Sequence, residues 1–270
     1  MTSGVTRAES EVVEITCAIS ARPETVFRYF TDPERFARWW AGPGGGVATL
    51  EARPGGLMRI AYHGGQVMRG RVLAIEPPRL FNFSWGYEGE GQAVAPESSE
   101  VEITLKATPE GTLLKLRHSG LPTPEQRAGH TSGWRHYMSV MAHEAAGEQT
   151  AGAANRVFKA FAEAWRTRDD GARLDLLRGC CAKDVRFRDA WACVDGVEAL
   201  SEHIANALRH VPMAMELTTP VEHAHGYARA GWRAAGPDGR AIMSGTYFGR
   251  LSLDGKLEFV VSFLDGPPQL

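Results

Sequence analysis

The chain has 270 residues, a formal net charge of −2 and 43% apolar residues, which suits two domains of moderate size with a core each. Its 30 basic and 32 acidic residues are spread along both halves, so no basic stripe for a phosphate backbone exists and nucleic-acid binding is not expected. No apolar run reaches spanning length, and "MTSGVTRAESEVVEI" lacks the basic and apolar regions of a secretion signal. The expectation is a soluble, cytoplasmic protein without membrane insertion.

Glu11 to Ser20 alternates, with Val13, Ile15 and Cys17 in one phase, and reads as a strand. Arg22-Pro23 opens a helix whose buried stripe is Val26, Phe27 and Phe30, and Asp32-Pro33-Glu34 opens a shorter one that runs into Trp39-Trp40 and stops at Gly42-Pro43. From Val47 to His118 the pattern is one of hairpins bounded by Gly and Pro, with "TPEGT" the clearest turn. A long helix follows Pro124 to about Ala146, with Trp134, Met138, Met141 and Ala145 three or four apart. Its apolar stripe needs the sheet as a partner.

The small, polar stretch "AAGEQTAGAA" has the composition of a linker, placed at 147–153 between domains at 1–146 and 154–270. Beyond it come an amphipathic helix (Val157, Phe158, Phe161, Trp165), a second helix over Leu174 to Cys181, the strand "VRFRDAW" and a third helix from about Val197 to Arg209. Three strand-like runs close the chain, with Pro237-Asp238-Gly239 and Asp254-Gly255 as turns. Helices first and sheet afterwards is an α+β order. The four cysteines, at 17, 180, 181 and 193, have neither zinc-site nor disulfide spacing and are expected as reduced, mostly buried thiols.

"ARPETVFRYFTDPERFARWW", "PGGLMRI", "IEPPRLFNFSW" and "EGTLLKLRHSGLP", followed by the Trp134 helix, resemble the START-like (SRPBCC, Bet v-like) superfamily in its branch named after the activator of the Hsp 90 ATPase. The resemblance implies a helix-grip domain, an antiparallel sheet around a long C-terminal helix, with a hydrophobic cavity between them. Over about 153 to 266, "FAEAW", "CCAKDVRFRDAW", "GVEALSEHI" and "GWRA…DGRAIMSGTYFGRLSLDGKLEFVVSFLD" resemble SnoaL-like proteins of the nuclear-transport-factor-2-like superfamily. That implies a cystatin-like α+β cone-shaped half-barrel with an apolar pocket, a sheet that often pairs with another copy, and hence a possible homodimer through the C-terminal domain.

Candidate ligand contacts follow from these patterns. Trp39 and Trp40 stand either at a cavity entrance with one near the rim, or as packing anchors. Phe83 and Trp85 share a strand face, and Trp134, Tyr137, Met138 and Met141 lie on nearby faces of the last helix, suiting either an adaptable apolar pocket or a solid core. His118 and His130 could supply polar contacts at one end. In the second domain the candidates are Trp165, Phe187, Trp191, Trp232, Phe248 and Phe263.

The sharpest chemical candidate is Asp189, because Val185, Phe187 and Asp189 alternate onto one face and set a carboxylate beside apolar residues, as proton transfer next to a carbonyl requires. In steroid-isomerase-like and polyketide-cyclase-like relatives an acidic residue in the matching strand does that work. Their donor pair is not matched: Phe161 and Ala162 stand where the isomerases carry a tyrosine, and Tyr247 or Phe248 where they carry an acid, leaving Tyr247 or the Trp232 indole as substitutes. The alternative is that Asp189 caps a loop or pairs with Arg186 or Arg188.

His136 and His143 are seven apart, and His223 and His225 share a phase with Arg229 and Arg233, so no metal is expected. No Gly-rich strand-to-helix loop is present, so no nucleotide or other cofactor is expected. Three readings remain: binding of a small hydrophobic molecule without chemistry, an isomerase, cyclase or hydratase using Asp189, and a chaperone-interacting protein.

Overall fold

The computed structural model describes residues 11–40 and 46–266. The helix stop expected at Gly42-Pro43 lies outside the described residues. The chain divides into two compact units, with the division between Ala145 and Ala146.

The first unit opens with β1 (Val13–Ile19), α1 (Pro23–Thr31) and α2 (Pro33–Trp40). Six further strands follow: β2 (Val47–Leu50), β3 (Leu57–Ala61), β4 (Val67–Glu76), β5 (Leu80–Trp85), β6 (Ser99–Thr108) and β7 (Gly111–Ser119). They form one antiparallel sheet in the order β1-β7-β6-β5-β4-β3-β2. The alternation read in "LFNFSW" sends Phe81, Phe83 and Trp85 to the buried face. In the "TPEGT" hairpin Thr108 pairs with Gly111. Gly111 has φ +144, and a Cβ there would stand 2.0 Å from the Ile19 carbonyl oxygen, so the turn admits only glycine.

Helix α3 (Pro124–Gln149) begins at Thr123, whose hydroxyl accepts the Gln126 N–H at 3.2 Å, and buries Trp134, Met138, Met141, Ala142 and Ala145. It runs three residues past the expected end at about Ala146, and α4 (Ala153–Ala164) starts at once. The segment expected as a linker is thus helical at both ends. The reason is local: Ala, Glu and Gln form helices well, and the break between the helices is a short turn that includes Gly152 at φ +72.

The second unit continues with α5 (Asp170–Cys180), β8 (Cys181–Arg188), β9 (Cys193–Asp195) and α6 (Val197–His210). Strands β10 (Ala214–Leu217), β11 (Glu222–Ala224), β12 (Tyr227–Ala235), β13 (Ala241–Leu251) and β14 (Leu257–Leu264) complete it. The sheet order is β10-β12-β13-β14-β8-β9, with β11 added on β12. All these pairs are antiparallel except β14 with β8. The buried face carries Val185, Phe187, Trp232, Tyr247 and Val260 against Phe158, Phe161 and Trp165 of the α4 segment.

One buried cation ties the helices of this unit together. Arg173, 2% exposed, donates from Nε to the Ser201 carbonyl (3.2 Å) and hydroxyl (3.1 Å), and from its terminal nitrogens to the carbonyls of Thr167 and Arg168 and to Asp170. A planar fork with five N–H donors can meet that many acceptors at once. Of the cysteines, Cys180 and Cys181 are buried, whereas Cys193 is exposed and Cys17 half-buried.

Candidate functional site

In the first unit the tryptophans of α2 are packing. Trp39 and Trp40 are both fully buried, and the quarter-turn between neighbouring helical positions is bridged by stacking of their rings at 4.4 Å. Trp39 Nε1 donates to the Tyr29 carbonyl and Trp40 Nε1 to the Tyr62 hydroxyl, each at 2.9 Å. Trp40 also lies 5.5 Å from the Trp85 ring and 5.3 Å from that of Trp134. Neither α2 tryptophan sits at a rim, in contrast to the entrance expectation.

His118 belongs to the same core. Fully buried, it accepts the Trp134 Nε1–H at Nδ1 (3.0 Å) and donates from Nε2 to the Ser99 hydroxyl (2.9 Å), which in turn donates to the Trp85 carbonyl. Both nitrogens are occupied, so the ring is fixed as one neutral tautomer. Burial, with the nearby His130 second, pulls its pKa from 6.5 to about 3.

A cleft of about 520 Å³ remains beside α3, lined by Tyr62, Trp85, Tyr87, His130, Trp134 and Tyr137 among others. Of the residues expected to contact a ligand here, Trp85, Trp134 and Tyr137 reach it; Trp39, Trp40, Phe83, His118, Met138 and Met141 fill the core instead. Helical and strand periodicity identifies which side chains face inward, and it does not distinguish a filled interior from a hollow one.

The second unit holds a pocket of about 340 Å³ between α6, the end of β8 and the inner face of β12 and β13. Trp165, Phe187, Asp189, Trp191, Trp232 and Tyr247 line it, together with His203, Met213 and Met215. Phe248 and Phe263 do not. Strand alternation turns Tyr247 inward and its neighbour Phe248 outward, and Phe263, opposite Thr246 in the register, is 58% exposed on the same outer face.

Asp189 sits just past β8 with its side chain 7% exposed. Its Oδ1 accepts the backbone N–H groups of Trp191 (2.7 Å) and Ala192 (2.6 Å), and its Oδ2 lies 3.2 Å from Nε2 of His203 on α6. The loop-capping alternative weighed for Asp189 is thus present at Oδ1, while Oδ2 faces an imidazole. With the carboxylate accepting at Nε2, the neutral form of the ring has its proton on that nitrogen and its lone pair on Nδ1, for which the described residues offer no partner. Rings surround the imidazole, with Trp165 edge-on at 5.7 Å and Phe187 at 5.6 Å.

His203 was not singled out in the sequence, because the buried stripe of α6 is Val197, Leu200, Ile204 and Leu208 and a histidine on its flank looks like surface. The available signal was its place one turn past Leu200 on a helix that must cover the Asp189 strand.

The donors of this pocket lack good acceptors. The indole N–H groups of Trp165 and Trp232 are buried without a hydrogen-bond partner, an arrangement that costs about 1–3 kcal/mol for each group. The Tyr247 hydroxyl donates to the Met215 thioether, a weak acceptor. Burial first, and then the charge of Asp189, pushes the Tyr247 pKa well above the tyrosine range, so it stays a donor. The Trp232 indole lies across Gly245, where a Cβ would come within 2.8 Å of the ring. No group of three or more metal-ligating side chains occurs among the described residues.

These features define a START-like helix-grip domain joined in one chain to a second α+β domain that carries an aspartate–histidine contact in a mainly apolar pocket. Residues 20–146 match the family described as Activator of Hsp90 ATPase homolog 1-like protein, and this segment is an AHSA1-like domain. An AHSA1-like protein from Rhizobium etli is 40% identical over 50% of this chain and 82% of its own, with a TM-score of 0.41. A protein of the SnoaL-like family from Agrobacterium tumefaciens, described as a candidate isomerase, is 25% identical over 42% of this chain and 98% of its own, with a TM-score of 0.41. The Aha1 dimer from Colwellia psychrerythraea is 19% identical over 47% of this chain and 90% of its own, with a TM-score of 0.39. No curated protein matches the chain.

Proposed function

We propose that the protein binds a small, mainly apolar carbonyl compound in the second-unit pocket and moves a proton on it with His203, held by Asp189. The observation that carries this reading is the 3.2 Å contact between Asp189 Oδ2 and His203 Nε2 in the wall of a mainly apolar pocket. A carboxylate pinned by two backbone N–H groups orients the imidazole and stabilises it once protonated, and Nδ1 is left as the base. Nδ1 takes a proton from the carbon beside the carbonyl, the C–H electron pair becomes a C=C bond, and the carbonyl π pair moves onto oxygen as an enolate. In a substrate with a C=C bond between the β and γ carbons this enolate is a dienolate; as the C=O re-forms, the β,γ π pair takes the proton at the γ carbon and leaves the double bond between the α and β carbons, the conjugated isomer. The resemblance of residues 153–266 to SnoaL-like proteins supports the same reading.

The test is deuterium uptake at the α-carbon of indanone in D2O, followed by proton NMR. The wild-type chain is expected to accelerate uptake, and His203→Gln and Asp189→Asn to lower it by roughly 10²-fold or more with binding retained. Equal rates in the wild type and both variants would remove the pair from the chemistry and leave a binding pocket.

We also infer that the outer face of the same sheet pairs with a second copy of the chain. Tyr227, Phe248 and Phe263 are exposed there, and the flanking ion pairs Arg229–Glu222 and Arg250–Glu258 supply both signs of charge. A two-fold contact needs such a self-complementary surface.

A further inference from the structure

We propose that the indole N–H groups of Trp165 and Trp232 are ligand-binding donors, so that the pocket selects a compound with hydrogen-bond acceptors at two separate positions. The inference rests on the proposed function in that it uses the same pocket, and it adds the chemistry of the ligand. Its basis is a contrast within the chain. The four buried tryptophans of the first unit all place their N–H: Trp39 on a carbonyl, Trp40 on a tyrosine hydroxyl, Trp85 on His130 and Trp134 on His118. In the second unit Trp165 and Trp232, 4% and 3% exposed, have no partner at all, and both line the pocket.

Buried indole donors are ordinarily satisfied, so two orphans in the wall of one cavity call for a common cause. No nearby protein acceptor relieves them. The Asp189 carboxylate is committed to Trp191, Ala192 and His203, and Met215 offers only a thioether, which Tyr247 already uses. Asn206, His210 and Ser262 also line the pocket, yet none of them accepts from either indole, so two donors of the wall stay unmet by the protein. A ligand with acceptors meets them, whereas an ammonium-type cation brings only further donors.

The two donors also stand at different places. Trp165 packs against His203, and Trp232 stacks on Tyr247 at 5.4 Å. One acceptor of the ligand is thus held beside the acid–base pair and the other beside the tyrosine. A dicarbonyl or a keto ester has this pattern. Charge that develops on the oxygen near His203 during proton removal would meet a donor already in place, the arrangement that does most to lower such barriers.

The experiment uses the full chain with 15N-labelled indoles, each resonance assigned by Trp165→Phe and Trp232→Phe. Indane, indanone and indanedione share one ring skeleton and carry no, one and two carbonyl acceptors. Titration with indanedione is expected to move both indole proton resonances downfield and indane to move neither. Affinity is expected to rise along the series, and Trp232→Phe to weaken indanedione by about 10-fold while changing indane less than about 2-fold, a tenfold step being one hydrogen bond of ordinary strength. Binding of all three probes with both indole resonances unmoved would overturn this inference and leave the proposed function standing. Failure of every probe to bind would overturn both.

Discussion

His118 is a buried base with no room for a second proton, and that makes it a pH liability of the first unit. Its folded pKa of about 3 lies below the 6.5 of the free side chain, so below pH 6.5 the unfolded chain binds a proton that the folded chain refuses. Stability therefore rises with pH across the window from about 3 to 6.5 and is independent of this group above it, with a slope near 1.4 kcal/mol per pH unit inside the window. Between about pH 8 and pH 5 the wild type is expected to lose about 2 kcal/mol more than His118→Gln in urea titrations. Parallel pH dependence in the two proteins would show that His118 is already protonated or exposed. At this scale the sequence was half legible. Asp189 could be found because a carboxylate interrupts an apolar strand face. His203 could not, because its pairing with Asp189 depends on how α6 crosses that strand. Phe248 and Phe263 were misplaced because aromatic content was read without the strand phase that turns them outward.

Among the elements, α6 is positioned by a group that no periodicity reveals. The Arg173 guanidinium on α5 joins Ser201 of α6 to the carbonyls of Thr167 and Arg168, and Ser201 stands two residues before His203. Arg173→Met would leave those acceptors buried and unmet, with an expected loss of about 3 kcal/mol by urea denaturation. Arg173→Lys should not restore it, since one ammonium cannot span both sets of acceptors. A loss below about 0.5 kcal/mol for both variants would mean that water replaces the guanidinium. Strands and helices were themselves largely readable, since alternation and three-to-four spacing mark buried faces directly. The end of α3 was not, because "AAGEQ" combines the composition of a linker with the propensity of a helix.

For the molecule as a whole, two cores within one chain were foreseeable from length and from the change of pattern along it, and the hollow and filled parts of those cores were not. The tight aromatic packing around Trp40 depends on ring orientations that composition leaves open. Assembly belongs to this scale too. Phe263→Glu places a charge on the exposed aromatic face of the second sheet, and light scattering is expected to show the mass fall from that of a dimer to that of a monomer. A wild-type monomer at micromolar concentration would dispose of the pairing.

The tryptophan stack of the first unit has an optical consequence. Trp39 on Trp40 at 4.4 Å and 30°, and Trp40 on Trp85 at 5.5 Å and 18°, bring indole transition dipoles close enough to couple. Circular dichroism in the far ultraviolet should therefore carry a paired positive and negative band from this cluster on top of the backbone signal. That band vanishes when the first unit loses its packing, and it gives the chain an intrinsic gauge of one half that ligands in the other half leave untouched.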